Sequence, residues 1–302
     1  MRRPSSRSSS SDSGAPERDE QPQTDPMPPG TQRCARAVIE YDGTAFAGSQ
    51  YQPNARTVQG ELEEALNRLT GERIRVRFAG RTDAGVHATG QVAAFCLPPS
   101  DGARWNWPLL QQRLNALLPA DLAVRSLRAA PRGFDPRRDA SARVYRYRVR
   151  MAADKRPVDR HRTLEIDDRL DVAAMRRAAA ALPGERDFAA LGSDKHGRTV
   201  RRLIEVRIVQ RGTLVAIRVT ANAFLRRMVR SIVALLIEAG RGRLDPAAVE
   251  PMLAAGGRAL SGRAAPARGL TLERVIYLNT ARARPSVPRG SKPGNEREEQ
   301  RT

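Results

Sequence analysis

The chain has 302 residues, with 53 Lys and Arg against 33 Asp and Glu, a formal net charge of +20 and only 4% aromatic residues. That length supports one large or two ordinary domains with a sizeable core, and the charge calls for a polyanionic partner, most simply nucleic acid. Cys34 and Cys96 make no disulfide framework, the three histidines lie far apart, and the longest apolar run, Ile232 to Ile237, is too short to cross a bilayer, which sets aside disulfide scaffolds, zinc fingers and membrane spans.

Residues 1–32 hold the run Ser5-Ser6-Arg7-Ser8-Ser9-Ser10-Ser11 and several prolines, and residues 281–302 are Pro, Arg, Gly and Glu with almost no large apolar side chain. Both are expected to be disordered tails, because neither can bury enough surface to offset ordering entropy. Without them, residues 33–280 carry +18, so the basic character belongs to the folded body. Only three of the 53 basic residues are Lys. A GC-rich codon bias explains Arg over Lys, but not basic over acidic. The N-terminus has arginines and no apolar signal region, and the default setting is soluble, reducing and cytoplasmic.

Ala35–Tyr41 reads as a strand. A helix follows, with Val58, Leu62, Ala65, Leu66 and Leu69 on one face and Thr57 as its N-cap. In Arg73–Phe78 the apolar Ile74, Val76 and Phe78 alternate with Arg73, Arg75 and Arg77, which predicts a strand with one buried and one basic face. Gln91–Cys96 is the next strand, Trp105–Leu117 a helix closed by Leu118-Pro119, and Leu122–Leu127 and Arg143–Arg150 are further strands. Beyond them come an Ala-rich helix over Leu170–Leu182 and a hairpin of Arg201–Gln210 with Thr213–Thr220 around Arg211-Gly212. A helix over Ala223–Ala239, a short helix over Pro246–Ala254 and a strand over Leu270–Leu278 finish the body. The expected class is α+β: two similar domains, residues 33–152 and 153–280, with antiparallel sheets, helices on one face and a cleft for RNA between them.

Chemistry is sparse. No Gly-rich loop of Walker or dinucleotide type follows a strand and opens a helix, no carboxylates cluster with metal spacing, and neither cysteine lies in an evident electropositive loop. What remains is Asp83, in the loop Gly80-Arg81-Thr82-Asp83-Ala84-Gly85 between two predicted strands. By itself an Asp between glycines is most often a turn former. As a reactive group it would need basic and aromatic helpers.

Six blocks in order carry a resemblance. They are Tyr41-Asp42-Gly43-Thr44; Gln52-Pro53-Asn54 with Arg56-Thr57-Val58-Gln59-Gly60; Ala79–Val92, reading AGRTDAGVHATGQV; Arg143-Val144-Tyr145-Arg146-Tyr147; Asn222–Arg230, reading NAFLRRMVR; and Ala265–Leu270, reading APARGL. Together they resemble the bacterial tRNA pseudouridine synthase A family over residues 33–280. The resemblance implies isomerisation of uridine to pseudouridine in the tRNA anticodon stem-loop, at positions 38, 39 and 40 in tRNA numbering, with no cofactor and no metal. It makes Asp83 the catalytic aspartate and Tyr145 the residue that stacks on the target base. It also gives Arg230 as partner of Asp83, Arg81 as an RNA contact, Leu270 as an apolar neighbour of the base, and a homodimer as the assembly. His87 is expected to steady the loop.

Two positions depart from the family. Ser49 stands where Trp is common, and Pro136 where a small residue is usual. The competing classes are a basic RNA-binding module without turnover and, weakened by the want of ligands, a metal-dependent RNA hydrolase.

Overall fold

The computed structural model describes residues 33–98, 106–152, 155–194, 196–255 and 264–278. The two expected tails, Trp105 and residues 279–280 lie outside them.

The fold is α+β, built on a single mixed sheet of ten strands. The strands are β1 (Arg33–Tyr41), β2 (Arg77–Phe78), β3 (His87–Leu97), β4 (Leu122–Ala129), β5 (Ala140–Met151), β6 (Leu164–Ile166), β7 (Gly184–Asp187), β8 (Val200–Arg211), β9 (Leu214–Ala221) and β10 (Leu270–Tyr277). Five α-helices are seen among the described residues: α1 (Val58–Thr70), α2 (Trp107–Leu117), α3 (Val172–Ala180), α4 (Met228–Gly240) and α5 (Val249–Ala254).

The spatial order is β4-β1-β3-β10-β5-β9-β8-β7, with β2 beside β3 and β6 beside β5. Each half contributes a largely antiparallel sheet, as expected, and the two half-sheets are fused into one. The join is β10, which runs parallel to β3 through Thr271–His87 and Leu272–Ala88, and antiparallel to β5. Paired residues share a face of a sheet. Tyr41, Ala88, Leu272, Tyr145 and Val219 therefore form one row across both halves, and all five are buried. α2 packs on β4 and α3 on β8, so each half of the sheet has its own helical cover. Between these covers the central strands meet the loop that carries Asp83.

The helix caps follow local chemistry. The Thr57 hydroxyl accepts from the Gly60 amide, Asn106 does the same for Leu109, and Asp171 for Ala173 and Ala174. Three expected elements differ in extent. In Arg73–Phe78 the apolar side chains are buried or half-buried and the arginines exposed, as the alternation predicts, yet only Arg77 and Phe78 pair with a strand. Side chains of α1 replace the ladder: Glu63 accepts from the Val76 amide at 2.9 Å, and Gln59 donates to the Val76 carbonyl.

The helix expected from Ala223 begins at Met228, because Arg227 sits in the left-handed region at φ 63° and breaks the α-conformation. Segment 222–227 instead bridges to Ser193, whose carbonyl accepts from the Arg226 amide at 3.0 Å. The helix expected over Pro246–Ala254 starts with a 3-10 turn at Pro246–Ala248. Cys34 and Cys96, expected to make no disulfide framework in a reducing setting, lie directly opposite across β1 and β3 and are joined by a single disulfide. At a sequence separation of 62, only the strand register reveals that proximity.

Candidate active site

Asp83 sits in the connection from β2 to β3, and several main-chain groups of that loop are bonded to other segments. The Ala79 amide donates to the Val92 carbonyl at 2.9 Å, while the Gly80 carbonyl accepts from the buried Gln91 side chain at 2.8 Å. Thr82 is gripped three ways. Its amide donates to the Ser49 hydroxyl at 2.9 Å, its carbonyl accepts from the Ser49 amide at 3.1 Å, and its own hydroxyl bonds Tyr41 Oη at 2.9 Å. Past Asp83, the Val86 amide closes the turn on the Asp83 carbonyl, and the Gly85 amide donates to Phe46. Gly85 has φ 76° and Gly48 has φ 110°, conformations that favour glycine. A loop bonded at so many points is pre-organised, which is what holding a reactive carboxylate requires.

His87 pins the far end. Its Nδ1 accepts from the Gly43 amide at 3.1 Å, which puts the proton on Nε2, facing the carbonyls of His161 and Arg268 at 2.6 and 3.1 Å. One imidazole thus connects the Asp42–Ala45 turn to two segments of the second half. Asp42 Oδ1 stands 3.2 Å from the same ring. Burial works to raise the Asp42 carboxyl, but hydrogen bonds from Thr44, with His87 and Arg162 nearby, hold it below its ordinary value. Gly43 has no room for a side chain, since a Cβ there would collide with the Val86 carbonyl.

The second half brings Arg230 to Asp83. From the first turn of α4, Arg230 Nη1 lies 3.3 Å from Asp83 Oδ2, and its Nε donates to the Ala265 carbonyl at 2.6 Å. The Ala265 amide returns a bond to the Arg230 carbonyl, so the arginine is oriented by the segment that leads into β10. The two side chains keep 18% and 32% of their surface. Screened to that extent, such a pair is worth on the order of 1–2 kcal/mol, between the exposed and the buried limits.

Tyr145 lies at the middle of β5, 7% exposed. Phe224 packs edge-on against its ring at 5.2 Å between centroids, a position open to Phe224 because the chain there is not helical. Burial above all, with lesser contributions from Tyr41 and Asp83, raises the Tyr145 phenol well above its ordinary range, so it stays neutral at physiological pH. Leu270 is buried and pairs with Tyr147, whose hydroxyl donates to the Pro266 carbonyl at 2.8 Å. Arg81 is exposed, two residues before Asp83.

The fold thus brings Asp83, Arg230 and Tyr145 to one place, sets Leu270 beside Tyr147 on the adjoining strand, and leaves Arg81 on the rim. Ser49, Tyr41, Gln91 and Arg143 form the support of this place, and the sequence reading gave none of them a role. Tyr41, Gln91 and Arg143 all fall inside the quoted blocks, so the signal was present without a geometry to interpret it. Ser49, where the family commonly has Trp, is fully buried and bonded to Thr82 through both backbone and side chain. The Pro136 carbonyl accepts from Tyr277 Oη at 2.7 Å.

Both halves contribute to this arrangement, and both are matched by one family. The tRNA pseudouridine synthase profile covers residues 37–137 and 178–278. The tRNA pseudouridine synthase A of Geotalea uraniireducens is 41% identical over 247 residues, which is 81% of this chain and 100% of that protein. The enzyme of the same name from Geobacter sulfurreducens is 42% identical with the same coverage, and that of Chloroflexus aurantiacus is 45% identical over 81% of this chain and 89% of its own. These matches, over both halves of the sheet, make the chain a pseudouridine synthase, an RNA isomerase. Within that class the chain belongs to the tRNA pseudouridine synthase family.

Proposed function

We propose that this enzyme converts uridine to pseudouridine in the anticodon stem-loop of tRNA, at positions 38, 39 and 40, with Asp83 as the essential group and no cofactor. The reaction breaks the bond from ribose C1′ to uracil N1, turns the detached base, joins C1′ to C5, releases the C5 proton and leaves N1 protonated. Atoms and electrons balance within the nucleoside, so no redox equivalent enters. The observation that carries the reading is the Asp83–Arg230 pair, which joins the β2–β3 loop of the first half to α4 of the second. Arg230 at 3.3 Å orients the carboxyl group that would either attack C1′ or take a ribose proton.

Tyr145 serves as the platform for the base. Extruding a nucleotide costs a few kcal/mol, which stacking and phosphate contacts must offset. The net charge of +20 supplies phosphate attraction, with Arg81 placed at the rim of the site to contribute to it. Leu270 and Phe224 give the apolar surroundings that keep water from the detached base. The enzyme acts as a cytoplasmic homodimer, with tRNA spanning the two copies.

The test is tritium release from tRNA carrying C5-tritiated uridine, without added metal or cofactor, comparing the wild type with Asp83→Ala. Release should vanish in the variant while tRNA binding persists. Undiminished release would remove Asp83 from the chemistry, and absence of release from the wild type would favour a binding module.

A further inference from the structure

Unlike Ser49, Tyr41 and Gln91, Arg143 is a buried cation. It lies on β5 between Val275 of β10 and Ala221 of β9, and is only 7% exposed. Its guanidinium makes four hydrogen bonds, all to main-chain carbonyls. Nη1 donates to Ala140 at 3.1 Å and to Asn222 at 2.6 Å, and Nη2 donates to Ala79 at 2.8 Å and to Arg137 at 2.6 Å. Burying a cation on carbonyl dipoles is costly compared with an apolar side chain of the same volume, so a merely space-filling role leaves the charge unexplained.

The four acceptors supply an explanation. Ala79 opens the loop to Asp83, four residues on. Asn222 ends β9 and begins the irregular segment that carries Phe224 and leads to Arg230. Tyr145 lies two residues along β5 from Arg143, on the same buried face, and Arg137 and Ala140 fix the entry to that strand. We propose that Arg143 is a positioning residue for the isomerisation: its planar fork sets the spacing among Asp83, Tyr145 and Arg230 by tying the three segments that carry them to one rigid group. The proposal rests on the site reading above. Lys cannot substitute, since an ammonium cannot present paired donors in one plane to acceptors on opposite sides.

The experiment compares Arg143→Ala and Arg143→Lys with Asp83→Ala and the wild type in the full-length protein. Four quantities are read: thermal midpoint, tRNA affinity, single-turnover rate at saturating tRNA, and that rate with guanidinium added below denaturing concentrations. Misplacing a reacting group by about 1 Å costs about 100-fold in rate. Arg143→Ala should therefore bind tRNA within about threefold of wild type yet turn over about 100-fold more slowly, and guanidinium should restore part of the rate in that variant alone. Arg143→Lys should stay folded and still lose about 10-fold. Wild-type rate in either variant, a loss confined to tRNA affinity, or no rescue in a folded Arg143→Ala would overturn the proposal. If neither variant folds, Arg143 is a requirement of the fold and the proposal also fails. An active Asp83→Ala would condemn the site reading separately, whatever the Arg143 variants do.

Discussion

Replacing Ser49 with Ala removes one oxygen and almost no volume, so it isolates a single hydrogen bond. The Ser49 hydroxyl accepts from the Thr82 amide at 2.9 Å; Ser49 is fully buried and Thr82 is 7% exposed. Water therefore has little access to the amide once the hydroxyl is gone, and an unsatisfied buried donor costs about 1–3 kcal/mol. No cavity contribution adds to this. The Ser49 amide and carbonyl keep their bonds to Thr82 and Gln59, so the strand-like pairing survives and the loop shifts locally. For a folded body of this size each kcal/mol lowers the melting temperature by ~2–4 °C, so the variant should melt about 2–12 °C lower. Because Thr82 directly precedes Asp83, the single-turnover rate at saturating tRNA should fall about 10- to 100-fold. Differential scanning calorimetry and C5-tritium release would measure the two effects. A midpoint within about 1 °C of wild type together with an unchanged rate would refute the view that this hydroxyl holds the loop.

Two further outcomes follow from the same geometry. Tyr145→Phe should keep tRNA binding, because the ring and its contact with Phe224 remain, and should lose about 100-fold in rate if the neutral phenol assists removal of the C5 proton; equal single-turnover rates would take the phenol out of the reaction. Asp42, whose carboxyl is held below its ordinary 3.8, contributes stability that is present above that pH and lost as pH falls through the lower folded-state value. Acid unfolding followed by circular dichroism should thus show a smaller dependence on pH below about 4 in Asp42→Asn than in wild type, and parallel curves would contradict the assignment.

Periodicity was sufficient for most of the fold because each half is made of elements with a strong apolar pattern. The failures have local causes. Ala223–Arg227 has helical composition, but its pairing with Ser193 and the left-handed Arg227 are tertiary effects that override propensity. Arg73–Val76 alternates like a strand and is buried like one, yet side chains of α1 take its hydrogen bonds. The short strands β6 and β7 have too few residues to show a period. Fusion of the two half-sheets was invisible, because nothing in Leu270–Tyr277 announces a parallel partner.

For the site, the motif blocks pointed to the residues in contact but not to their supports. A buried Ser, Gln or Arg looks like a surface residue in sequence, and only the carbonyls and amides facing it disclose its use. His87 was expected to steady the loop, and the geometry gives that expectation a mechanism in its bonds to Gly43, His161 and Arg268.

The central position of β10 has a consequence during synthesis. β3 and β5 are translated well before it, yet they are separated by the place it will occupy. Until Leu270–Tyr277 leaves the ribosome, the nascent chain carries two unsatisfied inner edges, and Arg230 lacks the neighbouring Ala265 that orients it. Closure of the sheet is a late step spanning most of the chain, slow by its long-range contacts and exposed to mispairing meanwhile. Docking of β10 is thereby the event that joins the two half-sheets and brings the segment of Ala265 against Arg230.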